Sequence, residues 1–216
     1  MIDKLKEIYS KKYGHGLIYL YLLVYFPAFF FIEKTITSDY YIIHCAIDDK
    51  IPFCEYFVIP YLLWFPFMFA VLIYEFFKNR RGFERMCISL MIGMTLFVII
   101  SIVWHNGVDL RSQIVHRDNI CSAMVSLLDD TDTPTNVFPS IHVYNTVVCL
   151  VAVLKSEGLK GNIPVKAGSV ILSILIILST LFLKQHSVID AGAGLVLAAI
   201  VCPIVYRKIP RDAPSV

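Results

Sequence analysis

Residues 138–142 read FPSIH and residues 184–190 read KQHSVID, and each stretch opens a long apolar run of the sequence. Apolar runs of this length are typical of helices that cross a membrane. Polar residues at the start of such a run lie where the helix meets water. The two stretches therefore predict two helices that begin at a membrane surface with histidine, hydroxyl and carboxylate side chains.

The composition of the chain agrees with a membrane environment. Of the 216 residues, 57% are hydrophobic and 17% are charged, and the mean hydropathy is +0.70. A soluble domain has about 45–50% apolar residues. With no internal repeat and no long charge block, residues 1–216 are predicted to form one integral membrane domain.

The apolar runs predict an all-α fold, because a helix needs roughly 20 apolar residues to cross a bilayer. The shortest run is the fourth, which has to include its polar first turn to cross. The first run follows a basic flank like that of a signal peptide, but it is long and lacks a small-residue cleavage site, so we interpret it as a retained anchor. The six runs predict a six-transmembrane helical bundle with spans at about 16–32, 56–77, 86–104, 139–154, 167–183 and 186–206.

Lysine and arginine are distributed unequally between the two sides of this bundle. If the N-terminus is cytoplasmic, the cytoplasmic segments hold 14 of the 19 basic residues. The positive-inside rule then predicts that both termini are cytoplasmic and that both polar stretches face outward. We expect a cytoplasmic membrane of the bacterial type. The outer segments keep only five basic residues: Lys34, Lys50, Arg111, Arg117 and Lys184.

The second polar stretch has the spacing of an oriented histidine. His186 and Asp190 are four residues apart, so on a helix they lie on one face and the carboxylate can reach an imidazole nitrogen. Such a contact fixes the tautomer and leaves the other nitrogen basic, as in nucleophile and general-base sites. The pattern alone also allows a polar first turn that is merely solvated. Ionisable residues at the end of a span favour a functional role.

The first polar stretch contains a candidate helix cap. Ser140 precedes the fourth apolar run and has the chemistry of an N-cap residue. A helix N-terminus with free amides is also an anion site, and the two roles are compatible. The segment before it, residues 105–138, is 34 residues long with few apolar runs. Loops of this length are usually functional or disordered.

The six cysteines do not form a recognisable metal motif. There is no CxxC spacing and no cluster of cysteine and histidine, so we expect no metal site. Cys45 and Cys54 both fall in the first outer loop, and their positions leave a disulfide open. Most of the cysteines are interpreted as small apolar residues.

Taken together, the motifs and the topology resemble the type 2 phosphatidic acid phosphatase superfamily. The similarity in topology covers the whole chain, but the residue match is confined to positions between about 106 and 194. The second conserved block of that family, Pro-Ser-Gly-His, is matched by Pro139, Ser140 and His142, with Ile141 in place of the glycine.

The other two blocks of the family are matched less completely. The third block is matched by Ser179, His186 and Asp190, but Thr180 replaces its arginine. The first block is matched only in Arg111, because a serine replaces its proline and a tryptophan its lysine. The residues that correspond to the family's catalytic histidines and aspartate are present, whereas two of its phosphate-binding bases are absent.

The resemblance implies covalent phosphoryl transfer at the outer membrane–water interface. His186 would attack phosphorus while Asp190 orients it, and His142 would protonate the leaving alkoxide and then activate water or an acceptor hydroxyl. No metal or other cofactor is implied. The expected partner is a membrane lipid rather than a nucleic acid.

Phosphate binding is the least complete part of the resemblance. The predicted outer surface is acidic, so a local cluster of bases and amides has to gather a phosphate group. Arg111, Ser140 and Lys184 are the predicted phosphate-binding residues, although Lys184 could instead be an interfacial lysine.

Three functions stay open on the sequence. The first is a lipid phosphatase. The second is a phosphotransferase or phospholipase-C-like diesterase, similar to the sphingomyelin and inositol-phosphorylceramide synthases, since a diester carries one charge and needs fewer cationic donors. The third is a lipid-binding protein without activity, which is disfavoured because both histidines and the aspartate are present.

Overall fold

The computed structural model describes residues 14–36, 39–115 and 117–209. A 3-10 helix, Gly14–Tyr21, leads into the first α-helix, and two short strands, β1 (Tyr41–Ile42) and β2 (Asn106–Gly107), pair in parallel. The predicted all-α class is confirmed. The described residues form seven α-helices: α1 Leu22–Thr35, α2 Val58–Lys78, α3 Arg80–Val103, α4 Ile120–Thr131, α5 Ile141–Lys155, α6 Ile163–Phe182 and α7 Val188–Lys208.

Five helical stretches in the described part of the chain are long and apolar enough to cross a membrane. They are Ile18–Thr35, Glu55–Lys78, Arg80–Val103, Ile163–Phe182 and Val188–Lys208. The fourth predicted span corresponds to α5, which has only 15 residues. Its length of roughly 22 Å is less than the roughly 30 Å of the hydrocarbon core. The six predicted bundle helices are therefore present, but only five of them have the length of a full span.

The short helix α5 lies at the centre of the bundle. It packs against α2, α3, α6 and α7, and its residues Val148, Cys149 and Ala152 belong to the main apolar core. A helix enclosed by other helices does not have to match the thickness of the bilayer, because its polar ends are covered by protein. The central position of α5 thus accounts for its short length.

The connections of the bundle lie at two opposite ends. The α1–α2, α3–α5 and α6–α7 connections lie at the end that carries His142 and His186, here called the histidine end. The α2–α3 and α5–α6 connections lie at the other end, here called the basic end. Its exposure to the cytoplasm stays a prediction, and the N-terminal lysines and Arg211 fall outside the described residues. The described basic residues at that end are Lys78, Arg80, Arg81, Arg85, Lys155, Lys160, Lys166, Arg207 and Lys208.

The long segment before Ser140 contains the helix α4, which the sequence analysis does not predict. The Asn119 side chain caps it by accepting a hydrogen bond from the Ser122 amide. Its residues Cys121 and Val125 pack against Tyr61 of α2. Twelve residues are too few for a span, and the cap and the apolar spacing are the only local signals of this helix.

The helices α5 and α7 approach each other closely at their first turns. The Ser140 amide donates a hydrogen bond of 3.0 Å to the Asp190 carbonyl oxygen. A Cβ atom at Gly194 would lie 2.7 Å from the Ser140 carbonyl oxygen, which is closer than real Cβ contacts. Glycine is therefore required at this crossing because the two backbones leave no room for a side chain.

We expect Gly194→Ala to destabilise the protein, since overpacking of this kind typically costs about 1–3 kcal/mol. Gly192→Ala is the matched control, because a Cβ there would meet no atom within 4 Å. Alanine in that open helical position should be neutral or stabilising by up to about 1 kcal/mol. Thermal unfolding of the purified proteins in detergent measures both effects. Equal midpoints for the two variants would show that the crossing is not tightly packed.

Candidate active site

The two histidines of the predicted motifs face each other at the histidine end. His142 belongs to the first turn of α5, and His186 stands two residues before α7. Their ring centroids are 5.7 Å apart. The ring of His142 packs against Tyr61 and Trp64 of α2, with centroid distances of 4.9 Å and 4.4 Å. Packing between two aromatic rings fixes the direction in which the His142 imidazole points.

His186 is oriented by a carboxylate, as the spacing of the motif predicts. Its Nδ1 atom lies 2.5 Å from Oδ2 of Asp190. Asp190 is fully buried and His186 is almost so. A carboxylate that accepts a hydrogen bond from Nδ1 favours the tautomer with its lone pair on Nε2. Nε2 is thus the nitrogen available for chemistry.

A small pocket adjoins both imidazole rings. Phe29, Phe97, Val137 and Ile141 form its apolar side, and Glu33 and Asp132 bring carboxyl groups to its polar side. Within the part of the chain that the structure describes, no lysine or arginine lines this pocket. Burial raises the pKa of the Asp132 carboxyl. Among the described residues, the space beside the histidines is therefore lined by carboxyl groups and not by lysine or arginine.

Arg111 lies behind the pocket lining. Its guanidinium donates to the carbonyl oxygens of Asp129 and Asp132 at 2.9 Å and 2.7 Å, and to Oε1 of Gln185 at 3.1 Å. The Arg111 Nε atom is also 3.5 Å from the Asp129 carboxylate. These contacts hold two lining residues, Asp132 and Gln185, in place. The contacts of Arg111 within the described residues are those of a positioning residue.

Ser140 and Lys184, the other two predicted phosphate-binding residues, do not line the pocket. Ser140 is fully buried and caps α5, because its Oγ accepts a hydrogen bond of 3.3 Å from the Val143 amide. Lys184 has a positive φ of 61°. Its ammonium group donates to the carbonyl oxygens of Asp48 and Ile51 at 2.7 Å and 2.6 Å. A direct phosphate contact by either residue thus has no support in the geometry.

The carboxylate of Asp48 holds the turn that carries His186 in place, a role that no local sequence pattern indicates. Its carboxylate accepts hydrogen bonds from the Ser187 hydroxyl at 2.6 Å and from the amides of Val188 and Cys45 at 2.9 Å and 2.8 Å. Burial by itself would raise the pKa of Asp48, but these hydrogen bonds together lower it. The ionised carboxylate thus sits at the N-terminus of α7, where the helix dipole favours negative charge.

Glu33 is a second site residue that no local pattern in the sequence indicates. Its Oε1 atom accepts a hydrogen bond of 3.0 Å from Asn136, and its Oε2 atom accepts one from Thr133. These contacts tie the end of α1 to the loop before α5 and place the carboxyl group on the pocket. Glu33 and these two partners are about a hundred residues apart in the chain, so no local sequence pattern indicates the contact.

Two further observations complete the site. Cys45 and Cys54 are free thiols, so the disulfide that the sequence left open is not formed. No group of three or more histidine, cysteine, aspartate or glutamate side chains suited to a metal occurs among residues 14–36, 39–115 and 117–209.

The fold and the site define an integral membrane protein with a pair of histidines at one end of its helical bundle. Residues 116–213, just under half of the chain, match the family model of the PAP2 superfamily. Its members are phosphatases and phosphotransferases. The comparisons with curated proteins and with solved structures found no match. The matched region includes both histidines and Asp190 but not Arg111, which precedes it.

We expect Asp48→Asn to lower the stability of the protein at neutral pH, because hydrogen bonds to a charged group contribute about 1.5–3 kcal/mol each. Asp49→Asn is the control, since that neighbouring carboxylate is half exposed and bonds only to exposed groups. Thermal unfolding at several pH values measures the difference.

The pH dependence tests the charge of Asp48. Its pKa in the folded protein is below the ordinary value, so its stabilisation is complete above about pH 4 and is lost as the pH falls through the lower folded-state pKa. The gap between wild type and Asp48→Asn should therefore narrow below about pH 4. If the stability difference between wild type and Asp48→Asn stays constant down to the lowest measurable pH, the stabilising form of Asp48 is not the ionised carboxylate.

Proposed function

We propose that this protein cleaves a lipid phosphate ester through a phosphohistidine on His186, without a metal. The observation that supports this proposal is the buried contact between Asp190 and Nδ1 of His186, with Nε2 left free near the second imidazole. A carboxylate in this position orients the ring and stabilises the positive charge that develops on it during attack. A merely structural histidine has no need of a second imidazole across a pocket.

In the first step, the lone pair of Nε2 on His186 forms a bond to phosphorus. The phosphorus–oxygen bond to the lipid breaks at the same time, and its electron pair leaves with the lipid oxygen. Protonated His142 then supplies a proton to that oxygen, so the lipid departs as an alcohol. Asp190 keeps its hydrogen bond to Nδ1 and balances the charge of the phosphorylated ring.

In the second step, neutral His142 accepts a proton from the incoming oxygen nucleophile. The new phosphorus–oxygen bond forms as the phosphorus–nitrogen bond to His186 breaks, which restores both histidines. Water as the nucleophile gives a phosphatase, and the hydroxyl of a second lipid gives a phosphotransferase. Both outcomes use the same two imidazoles.

The apolar side of the pocket fits a lipid substrate. Phe29 and Phe97 belong to helical stretches with the length of a membrane span, so two membrane-spanning elements contribute the apolar side of the pocket. In this proposal the histidine end faces outward and both termini lie in the cytoplasm, as the positive-inside rule predicts. The substrate phosphate then lies at the level of the lipid headgroups.

The predicted phosphate-binding residues act indirectly in this proposal. Arg111 fixes Gln185 and Asp132 at the pocket, and its positive charge contributes through the lining rather than by contact. Ser140 caps α5, and Lys184 holds the turn before His186. Both residues therefore help to fix the positions of the two imidazoles relative to each other.

A phosphodiester substrate is the second candidate, and the acidic lining favours it. A phosphomonoester dianion beside Glu33 and Asp132 is opposed by like charge unless those carboxyl groups take up protons. A diester brings only one negative charge, and a headgroup with an ammonium group would be attracted by the carboxylates. The reaction would then transfer or hydrolyse the headgroup phosphate through the same histidine.

We expect His186→Ala to abolish both turnover and the covalent intermediate, because it removes the attacking nitrogen. His142→Ala removes only the proton donor and should cost about 10²–10⁴-fold with a lipid leaving group. That loss should shrink for a nitrophenyl ester, whose leaving group needs no proton. His44→Ala is the control, since His44 is an exposed histidine at the same end that bonds to Asp49.

The trapped intermediate gives an independent readout of the nucleophile. A phosphohistidine survives alkali and is lost in acid, so rapid quenching in base should preserve labelled protein in wild type and not in His186→Ala. Turnover retained by purified His186→Ala, or failure of the nitrophenyl ester to rescue His142→Ala, would mean that the two roles are assigned wrongly.

Glu33→Gln tests the charge of the substrate. Because the substitution keeps the shape and removes the negative charge, it should raise kcat/KM for a phosphomonoester lipid severalfold relative to a zwitterionic phosphodiester lipid. Competition assays on matched acyl chains in mixed micelles measure this ratio. Asp109→Asn, an exposed outer carboxylate away from the pocket lining, serves as the control. An unchanged ratio in Glu33→Gln would exclude charge selection by this residue.

A further inference from the structure

A second cavity lies at the basic end of the bundle, opposite the histidines. Its volume is about 490 Å³, and its walls come mainly from α5 and α7. Three cationic side chains, Arg85, Lys155 and Arg207, line it. Lys155 and Arg207 stand in the last turns of their helices, so the cationic part of the cavity lies where the bundle leaves the membrane.

Arg85 carries an unpaired donor at this cavity. Its side chain is 4% exposed, and its Nε atom donates a hydrogen bond of 2.8 Å to the Ile209 carbonyl oxygen. Its Nη2 atom is buried without a hydrogen-bond partner in the described part of the chain. An unsatisfied buried donor on a charged group is costly, so an acceptor from a ligand would remove a penalty.

The charge of Arg85 is only partly balanced by the protein. The buried Glu75 of α2 interacts with it electrostatically, but no described carboxylate comes within 4 Å of Arg85, Lys155 or Arg207. The hydroxyl of Tyr206, whose ring lies 5.4 Å from the Arg85 guanidinium carbon, is also buried without a partner. One end of the cavity therefore offers several donors and positive charges to an anion.

The rest of the cavity is apolar and runs into the membrane region. Val147 and Val151 on α5 and Leu195 on α7 line it, and the small side chains of Ala198 and Ala199 leave it open. From Leu195 to Arg207 the helix rises roughly 18 Å, which is a large part of one leaflet. Leu195 is 42% exposed toward the outside of the bundle, so a chain in this groove could continue into the bilayer.

We propose that this groove binds one anionic lipid from the leaflet at the basic end. The headgroup phosphate would contact the guanidinium of Arg85 and the charges of Lys155 and Arg207, and an acyl chain would lie along α5 and α7. A soluble anion would leave the apolar groove unfilled, and an uncharged lipid would leave the Arg85 donor unpaired. Basic pockets between transmembrane helices at this depth are typical sites for acidic lipid headgroups.

Native mass spectrometry of the purified full chain tests the proposal with two lipids, phosphatidylglycerol and phosphatidylcholine, that carry the same acyl chains. One phosphatidylglycerol should bind in preference to phosphatidylcholine. The double variant Lys155→Gln/Arg207→Gln should weaken that binding about tenfold or more. Lys208→Gln is the matched control, because Lys208 is an exposed base next to Arg207 that does not line the cavity. Both substituted positions are exposed, so folding should be preserved.

A second variant tests the apolar half of the groove without touching a charge. Ala199→Leu places a larger side chain in the groove and should reduce retention of phosphatidylglycerol, while Val196→Leu, an exposed position on α7 outside the lining, should not. Glycerol phosphate should not displace the lipid at equal concentration. Equal binding of the two lipids, full binding in the double variant, or displacement by glycerol phosphate would overturn the assignment of an anionic lipid.

Discussion

The hydrogen bond between the Ser140 amide and the Asp190 carbonyl oxygen joins the starts of the two helices that carry the histidines. Asp190 uses its backbone to hold α5 and its carboxylate to hold His186. The close approach at Gly194 is what allows this bond, since any side chain there would push the two backbones apart. The spacing of the imidazoles is therefore a direct consequence of one helix crossing, and the rest of the bundle fits around it.

A second layer of buried or partly buried charged residues holds the loops of the histidine end against that crossing. Asp48 and Glu33 accept hydrogen bonds from backbone amides or neutral side chains of distant segments. Arg111 donates to two backbone carbonyl oxygens and also pairs with the Asp129 carboxylate. A buried charge is tolerated only when its partners are in place. Each of these residues thus makes the order of one loop depend on the order of another, which keeps the pocket rigid without a disulfide.

The sequence predicts the parts of this arrangement that depend on local spacing. The long apolar runs identify the bundle, and the i, i+4 spacing of His186 and Asp190 is enough to predict their contact. Asp48 and Glu33 could not be found in this way, because their partners lie 139 and 103 residues away in the chain. Lys184 is the converse case. Its position two residues before His186 suggests that it lines the pocket, but its backbone has a positive φ and its ammonium group bonds to the connection between α1 and α2.

The position of the arginine that the family's third block would supply is occupied here by Thr180. This residue is fully buried, its hydroxyl donates to the Ile177 carbonyl oxygen, and its own carbonyl oxygen accepts the amides of Gln185 and His186. This position therefore shapes the turn before His186 and does not supply a charge. Arg111 is engaged by Asp129. In the proposed reaction, the positive potential at the phosphate would therefore come from the histidines and the helix N-termini, which would stabilise one negative charge more readily than two.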